Sequence, residues 1–218
     1  MPAPSSAPSR PAVVGLTGGI GAGKSLVGRM FEALGMPVWN ADEAAKMLYA
    51  NDEGLRRELV ARWGDHIGVH DHEGSLVDIH RRELAQIIFN DSHELAWLEQ
   101  RVHPAVGRAF ERWASEVQRT APANVVIREA AILFESQSHL TCDAVVTVEA
   151  PLDLRITRAL SREGNGNSSK ADILKRVQRQ WESAERVARA DFVINNDETS
   201  QLLPQVLDLA KAIRTRFS

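Results

Sequence analysis

The sequence predicts an α/β fold, a five-stranded parallel sheet flanked by helices and interrupted by a helical insert. Three observations predict it. Short apolar runs alternate with helical patterns near the start and through the second half of the chain. The stretch from Asn51 to Gln118 has helical spacing and lacks strand-like runs. A Gly-rich turn stands between the first apolar run and the first helical pattern.

The elements follow in order. Met1 to Pro11 is Pro-, Ser- and Ala-rich and reads as a disordered tail (residues 1–11); it lacks the apolar stretch of a signal peptide. Val13-Val14-Gly15-Leu16 fits a buried parallel strand. Ser25 to Leu34 reads as a helix, with Gly35 placed to end it. Pro37-Val38-Trp39 is a second strand, and a helix from about Asp42 to Tyr49 follows. In the insert, residues 51–121, apolar residues recur with helical spacing over Leu55–Trp63, Arg81–Phe89 and Glu94–Arg119. There Asp91 with Glu94 resembles a capping box, and Asp71-His72-Glu73-Gly74 a turn. Asn124–Ile127 and Ala144–Val148 resume the strands. Pro151 stands at the first turn of a helix running to about Arg162. Gly164 to Ser169 reads as a flexible loop, and Ser169 with Asp172 caps one further helix to about Arg189. Phe192-Val193-Ile194 is the last strand, and an amphipathic helix with Pro204 near its start ends the chain.

Composition removes several function classes. Of 218 residues, 26 are Lys or Arg and 29 are Asp or Glu, a net charge of −3 that gives no global footprint for nucleic-acid binding. No apolar run approaches the roughly 18 residues that a membrane helix needs. A single cysteine, Cys142, excludes an internal disulfide and suits a reducing, cytoplasmic compartment. His66, His70 and His72 cluster around a turn without a metal-binding frame and read as a solvated loop.

The informative motif is Gly18-Gly19-Ile20-Gly21-Ala22-Gly23-Lys24-Ser25, a full match to G-x-x-x-x-G-K-S/T between a strand and a helix. Glycines let the backbone curl so that its N–H groups, with the helix N-terminus, form a nest for phosphate oxygens. Gly21, Ala22, Gly23, Lys24, Ser25 and Leu26 are the candidate nucleotide-binding residues. Lys24 reaches the β- and γ-phosphates, and the Ser25 hydroxyl is a ligand for Mg²⁺ carried by ATP. The motif predicts the fold of P-loop nucleoside-triphosphate hydrolases and leaves the fate of the triphosphate open. Asp42, in Asn40-Ala41-Asp42, follows the second strand, at the sheet end where ligands collect. It reads either as a base for a substrate hydroxyl or as the cap of its helix. Arg155, Arg158 and Arg162, at i, i+3 and i+7, share a helix face; Arg158 and Arg162 are candidates to neutralise charge on a transferred phosphoryl group.

Together these residues resemble the dephospho-coenzyme A kinase family. The opening L-T-G-G-I-G-x-G-K-S is Leu16 to Ser25, and D-A-D appears as Asn40-Ala41-Asp42. Arg81, Leu84, Ile88 and Phe89 match a pattern of the insert, and His103-Pro104 its H-P pair. P-L-L-F-E appears as Ala131 to Glu135, the lid's R-x-x-x-R as Arg158 and Arg162, the later Gln as Gln180, and I-x-N within Val193 to Asn196. The resemblance implies ATP-dependent phosphorylation of the ribose 3′-hydroxyl of dephospho-CoA, with Mg²⁺ as cofactor and Asp42 as general base. It implies a P-loop core (12–50, 122–157 and 184–218), a substrate-binding insert (51–121) and a lid (158–183). It also implies Asn195 near the adenine, Arg81 and His103 as substrate contacts, and ATP and dephospho-CoA as the partners, with no nucleic acid, membrane or obligate protein partner. Four departures stand out: Asn40 for the first Asp, Ala131 for Pro, Leu26 where Thr is common, and a Gly- and Asn-rich lid loop. Rival readings are a kinase for another small acceptor such as a nucleoside monophosphate, a nucleotide-regulated binding module, and an RNA-binding role for the basic helix around Lys175 and Arg179.

Overall fold

A computed structural model describes residues 10–121, 123–163 and 169–218. Most of the predicted tail and Gly164–Ser168 of the lid loop lie outside the described residues. The chain divides into two units. One takes in the chain up to Asn40 and from Trp113 on; the other is Ala41–Arg112. The division falls at 40/41 and 112/113; α2 (Ala41–Asn51) goes with the insert because it packs on α3 (Glu53–Trp63) and on β4 (Leu76–Ile79).

The first unit is built on a five-stranded parallel sheet in the order β2-β5-β1-β6-β7. The strands are β1 (Ala12–Gly18), β2 (Val38–Asn40), β5 (Val125–Glu129), β6 (Ala144–Glu149) and β7 (Phe192–Asn195). Every residue of β5 and β6 is buried, as both faces of a central parallel strand must be. α1 (Lys24–Ala33) and α9 (Leu202–Arg216) place Val27, Phe31, Val206 and Ile213 against Leu16, Ile127, Val146 and Ile194 in one core. Gly35 takes φ +77°, the left-handed turn expected after α1. Cys142 packs against this sheet, and burial pushes its thiol up to about 11. Helix α6 (Leu152–Glu163) packs on α7 (Lys170–Gln178) through Ile156, Ala159 and Ile173. Ser169 and Asp172 form the expected capping box.

Two expectations are corrected here. The helix expected to continue to Arg189 stops at Gln178 and restarts as α8 (Ser183–Arg189), because residues 179–182 turn aside to bond the sheet's loops. The insert is not wholly helical: β3 (Gly68–His70) and β4 pair antiparallel across the predicted turn. There Asp71 Oδ1 accepts from the N–H groups of Glu73 and Ser75, and Gly74 sits at φ +82°.

In the second unit, α3, α4 (Arg81–Asn90) and the first part of α5 (Ser92–Thr120) carry the buried Leu55, Leu59, Leu84 and Leu98. Asp91 Oδ1 accepts from His93 N and Glu94 N, but the Glu94 carboxylate takes two bonds from Arg62 and one from Trp63 instead of closing the box. Trp97 meets Trp63 edge-on at 5.1 Å and lies between the guanidinium groups of Arg62 (4.6 Å) and Arg101 (3.6 Å). Pro104 does not break α5, which runs through it. No helix among the described residues is long and apolar enough to cross a membrane.

Candidate active site

The loop between β1 and α1 takes a shape that its glycines dictate. Gly18, Gly21 and Gly23 have φ of +143°, +76° and +103°. A Cβ on Gly21 would lie 2.0 Å from the Arg155 carbonyl oxygen, and one on Gly23 would lie 2.3 Å from the Asn196 amide nitrogen. The loop is therefore clamped from outside as well as curled from within. Asn196 Nδ2 donates to Ala22 O at 2.8 Å, Arg155 Nε donates to Ile20 O at 3.1 Å, and Ile20 N donates to Gln180 Oε1 at 2.7 Å. Gln180 Nε2 in turn donates to Ala131 O at 2.6 Å, so the substitution of Ala for Pro at 131 leaves that carbonyl in use.

A cavity of about 220 Å³ opens over the loop. Of the predicted site residues, Gly21, Gly23, Lys24, Ser25, Leu26, Arg158 and Arg162 all line it, and Arg29 joins them. Lys24 is buried, its Nζ donating to Gly18 O at 2.9 Å. The first-turn N–H groups of α1 complete a site suited to an anion. Two predicted contacts are otherwise engaged: Ala22 N donates to Gly19 O and Leu26 N to Gly23 O, both at 3.0 Å.

Arg158 Nη1 donates to Asn196 O at 2.9 Å and its Nη2 to Glu198 Oε1 at 3.2 Å, which fixes its guanidinium at the cavity wall. Arg162 is exposed. Asn195 does not reach the loop: it is exposed, and Gln205 brackets its N–H and C=O groups. The strand end turns there, so it is Asn196 that faces the loop.

Sequence reasoning missed Glu129. This carboxylate ends β5, is buried, and accepts the Ser25 hydroxyl at Oε1 over 2.9 Å. The sequence held no local signal for it, because Ser25 and Glu129 meet only across the fold, 104 residues apart.

The second unit carries the remaining predicted residues. Asp42 stands exposed in the first turn of α2, two positions beyond Asn40, the last residue of β2. Arg81 Nη2 donates to Lys46 O at 3.3 Å. His103 is half-buried, and that burial lowers its pKa against a smaller opposing pull from Glu99.

Comparison with known proteins bears on this site. A family model described as dephospho-CoA kinase matches residues 12–201. A dephospho-CoA kinase of Chlorobium chlorochromatii is 35% identical over 193 residues, 88% of this chain and 89% of that protein. One from Chlorobaculum tepidum is 36% identical over 208 residues, 94% of this chain and 96% of that protein. Among solved structures, a Thermus thermophilus protein superposes with a TM-score of 0.76 at 28% identity, covering 96% of this chain and all (100%) of that one. The dephospho-CoA kinase of Campylobacter jejuni, at 20% identity and a TM-score of 0.62, covers 94% of this chain and 96% of its own and shares the fold.

Proposed function

This chain belongs to the dephospho-CoA kinase family, and from that premise we propose how it transfers the γ-phosphoryl group of ATP to the ribose 3′-hydroxyl of dephospho-CoA, giving CoA and ADP. The observation that carries the reading is the cavity over Gly21 to Leu26, where Lys24, Arg29, Arg158 and Arg162 converge on a glycine nest. Phosphoryl transfer asks little covalent chemistry of the protein; it asks for positioning and for positive charge against the equatorial oxygens. Lys24 holds the β- and γ-phosphates in the nest. Arg158, already oriented by Asn196 and Glu198, and Arg162 neutralise charge on the group in flight.

Use of ATP by the family implies a divalent cation, and the donor set fits Mg²⁺. The Ser25 hydroxyl and Glu129 carboxylate, 2.9 Å apart, are a hard oxygen pair of the kind a phosphate-borne Mg²⁺ takes. These two residues would hold it, and it would supply charge neutralisation at the β- and γ-phosphates.

Asp42 acts as general base, accepting the 3′-hydroxyl proton as that oxygen attacks in line. Its exposed carboxylate, directly after the C-terminal end of a parallel strand, supports the assignment. The insert recognises the acceptor, with Arg81 and the neutral imidazole of His103 as contacts, and residues 158–183 serve as the lid. A cytoplasmic location fits a chain without a membrane-crossing helix among its described residues.

The test is ADP release from ATP with Mg²⁺ and dephospho-CoA, run beside AMP, adenosine and no acceptor. Turnover confined to dephospho-CoA, with a 3′-phosphorylated product by mass, is expected. Turnover with AMP alone would replace the acceptor, and acceptor-independent hydrolysis would remove the kinase reading.

A further inference from the structure

Arg155, in the first turn of α6, lies beneath the phosphate loop and is only 5% exposed. Its Nε donates to Ile20 O at 3.1 Å, and a Cβ on Gly19 would lie 2.0 Å from its guanidinium. Its Nη2 is buried and has no hydrogen-bond partner. The acid that faces it, Glu149 of β6, is already saturated. Glu149 Oε1 accepts from Thr147 Oγ1 (2.6 Å) and Arg186 Nε (2.9 Å), and Oε2 from Ser183 Oγ (2.7 Å) and Arg186 Nη2 (2.7 Å). Arg186 is itself 1% exposed and holds this carboxylate in an ion pair, so Glu149 offers Arg155 only a longer-range attraction. Burial lowers the pKa of Arg155, and the Arg186 charge lowers it further.

A buried charge without its own counter-ion is destabilising. Such a charge persists where something else compensates it, and here the loop whose backbone it braces is the one that receives polyanions. We propose that Arg155 is a positioning residue for the nucleotide's phosphates: it braces the Gly19–Gly21 turn through Ile20 O, and phosphates bound on the far side of that turn balance its unpaired charge. The proposal rests on the reading of this loop as the ATP site. It makes nucleotide binding and the stability of the unliganded core thermodynamically linked through one side chain.

The experiment compares wild type, Arg155→Met and Arg155→Lys by thermal unfolding with and without ADP, and by calorimetric titration with ADP. Methionine keeps the length and removes the charge. Its variant is expected to unfold, without ligand, at or above the wild-type temperature, yet to bind ADP about fivefold or more weakly and to gain less from it. Lysine keeps the charge and is expected to bind ADP within about threefold of wild type. A methionine variant that loses stability without ligand and binds ADP as wild type does overturns the proposal, leaving a plain structural brace. If that variant does not fold, a lysine variant binding ADP more than about tenfold weaker overturns it instead. No ADP-dependent rise in the wild type would instead sink the reading of the loop itself.

Discussion

Asp42 carries the sharpest residue-scale consequence. Asp42→Asn preserves shape and removes the proton acceptor, while every residue lining the nucleotide cavity is untouched. Turnover is expected to fall by about 10²- to 10⁴-fold with ATP affinity within about twofold of wild type. Single-turnover transfer and ATP titration check this together, and turnover near the wild-type rate would end the general-base assignment. At this scale the sequence was legible where chemistry is local. Gly21, Gly23, Lys24 and Ser25 announce themselves because a phosphate nest needs those residues at that spacing. Glu129 and Asn196 were not legible, because their roles exist only across separations of 104 and 174 residues. Asn195 and Asn196 differ only in which of them the end of β7 turns toward the loop, and an N-N pair in a sequence carries no sign of that.

Among the elements, the break between α7 and α8 is the informative one. The helical spacing of residues 170–189 continues through it, so periodicity alone predicts one helix. Tertiary bonds decide otherwise: Gln180 gives its whole amide to Ile20 N and Ala131 O, and Trp181 N donates to Glu135 Oε1 at 2.6 Å while its ring stacks on Phe134 at 5.1 Å. These bonds satisfy loop groups that would otherwise go unpaired, which offsets the helical bonds given up. The β3–β4 hairpin escaped notice for a related reason. Strands of three and four residues are too short for an alternation to register, although the turn between them was readable. Gln180→Ala tests the strut. It orphans an N–H and a C=O at a cost of about 1–3 kcal/mol, which for a chain of this size is about 3 °C or more in Tm. The KM for ATP is expected to rise with it, because Ile20 belongs to the phosphate loop. Unchanged Tm and KM would show that the break in the helix has another cause.

For the whole molecule, the net charge of −3 conceals a division of labour. Cations collect at the nucleotide cavity, while several carboxylates are held in structural bonds that depend on their ionisation. For Glu149, burial alone would raise the pKa, but bonds from Arg186, Thr147 and Ser183 outweigh it and hold the carboxyl below its ordinary 4.5. Arg10 holds Asp143 below 3.8, and N–H and hydroxyl donors from Ser200 and Thr199 bring Asp197 to about 2. A depressed acid contributes stability above its unfolded pKa and loses it as pH falls through the folded one. His103 acts in the same direction from a higher starting point. Its folded pKa lies below the ordinary 6.5, so acidification must either charge a half-buried imidazole or unfold the chain around it. The expected curve of unfolding free energy is therefore flat from about pH 8 to about 6.5, slopes gently below that, and steepens below about pH 4.5. Urea denaturation across that range checks the shape. Glu149→Gln should start less stable, since Arg186 loses its counter-ion inside the core, and should then lose less on further acidification. A variant that parallels the wild type down to about pH 3 would assign the acid limb to the exposed carboxylates instead.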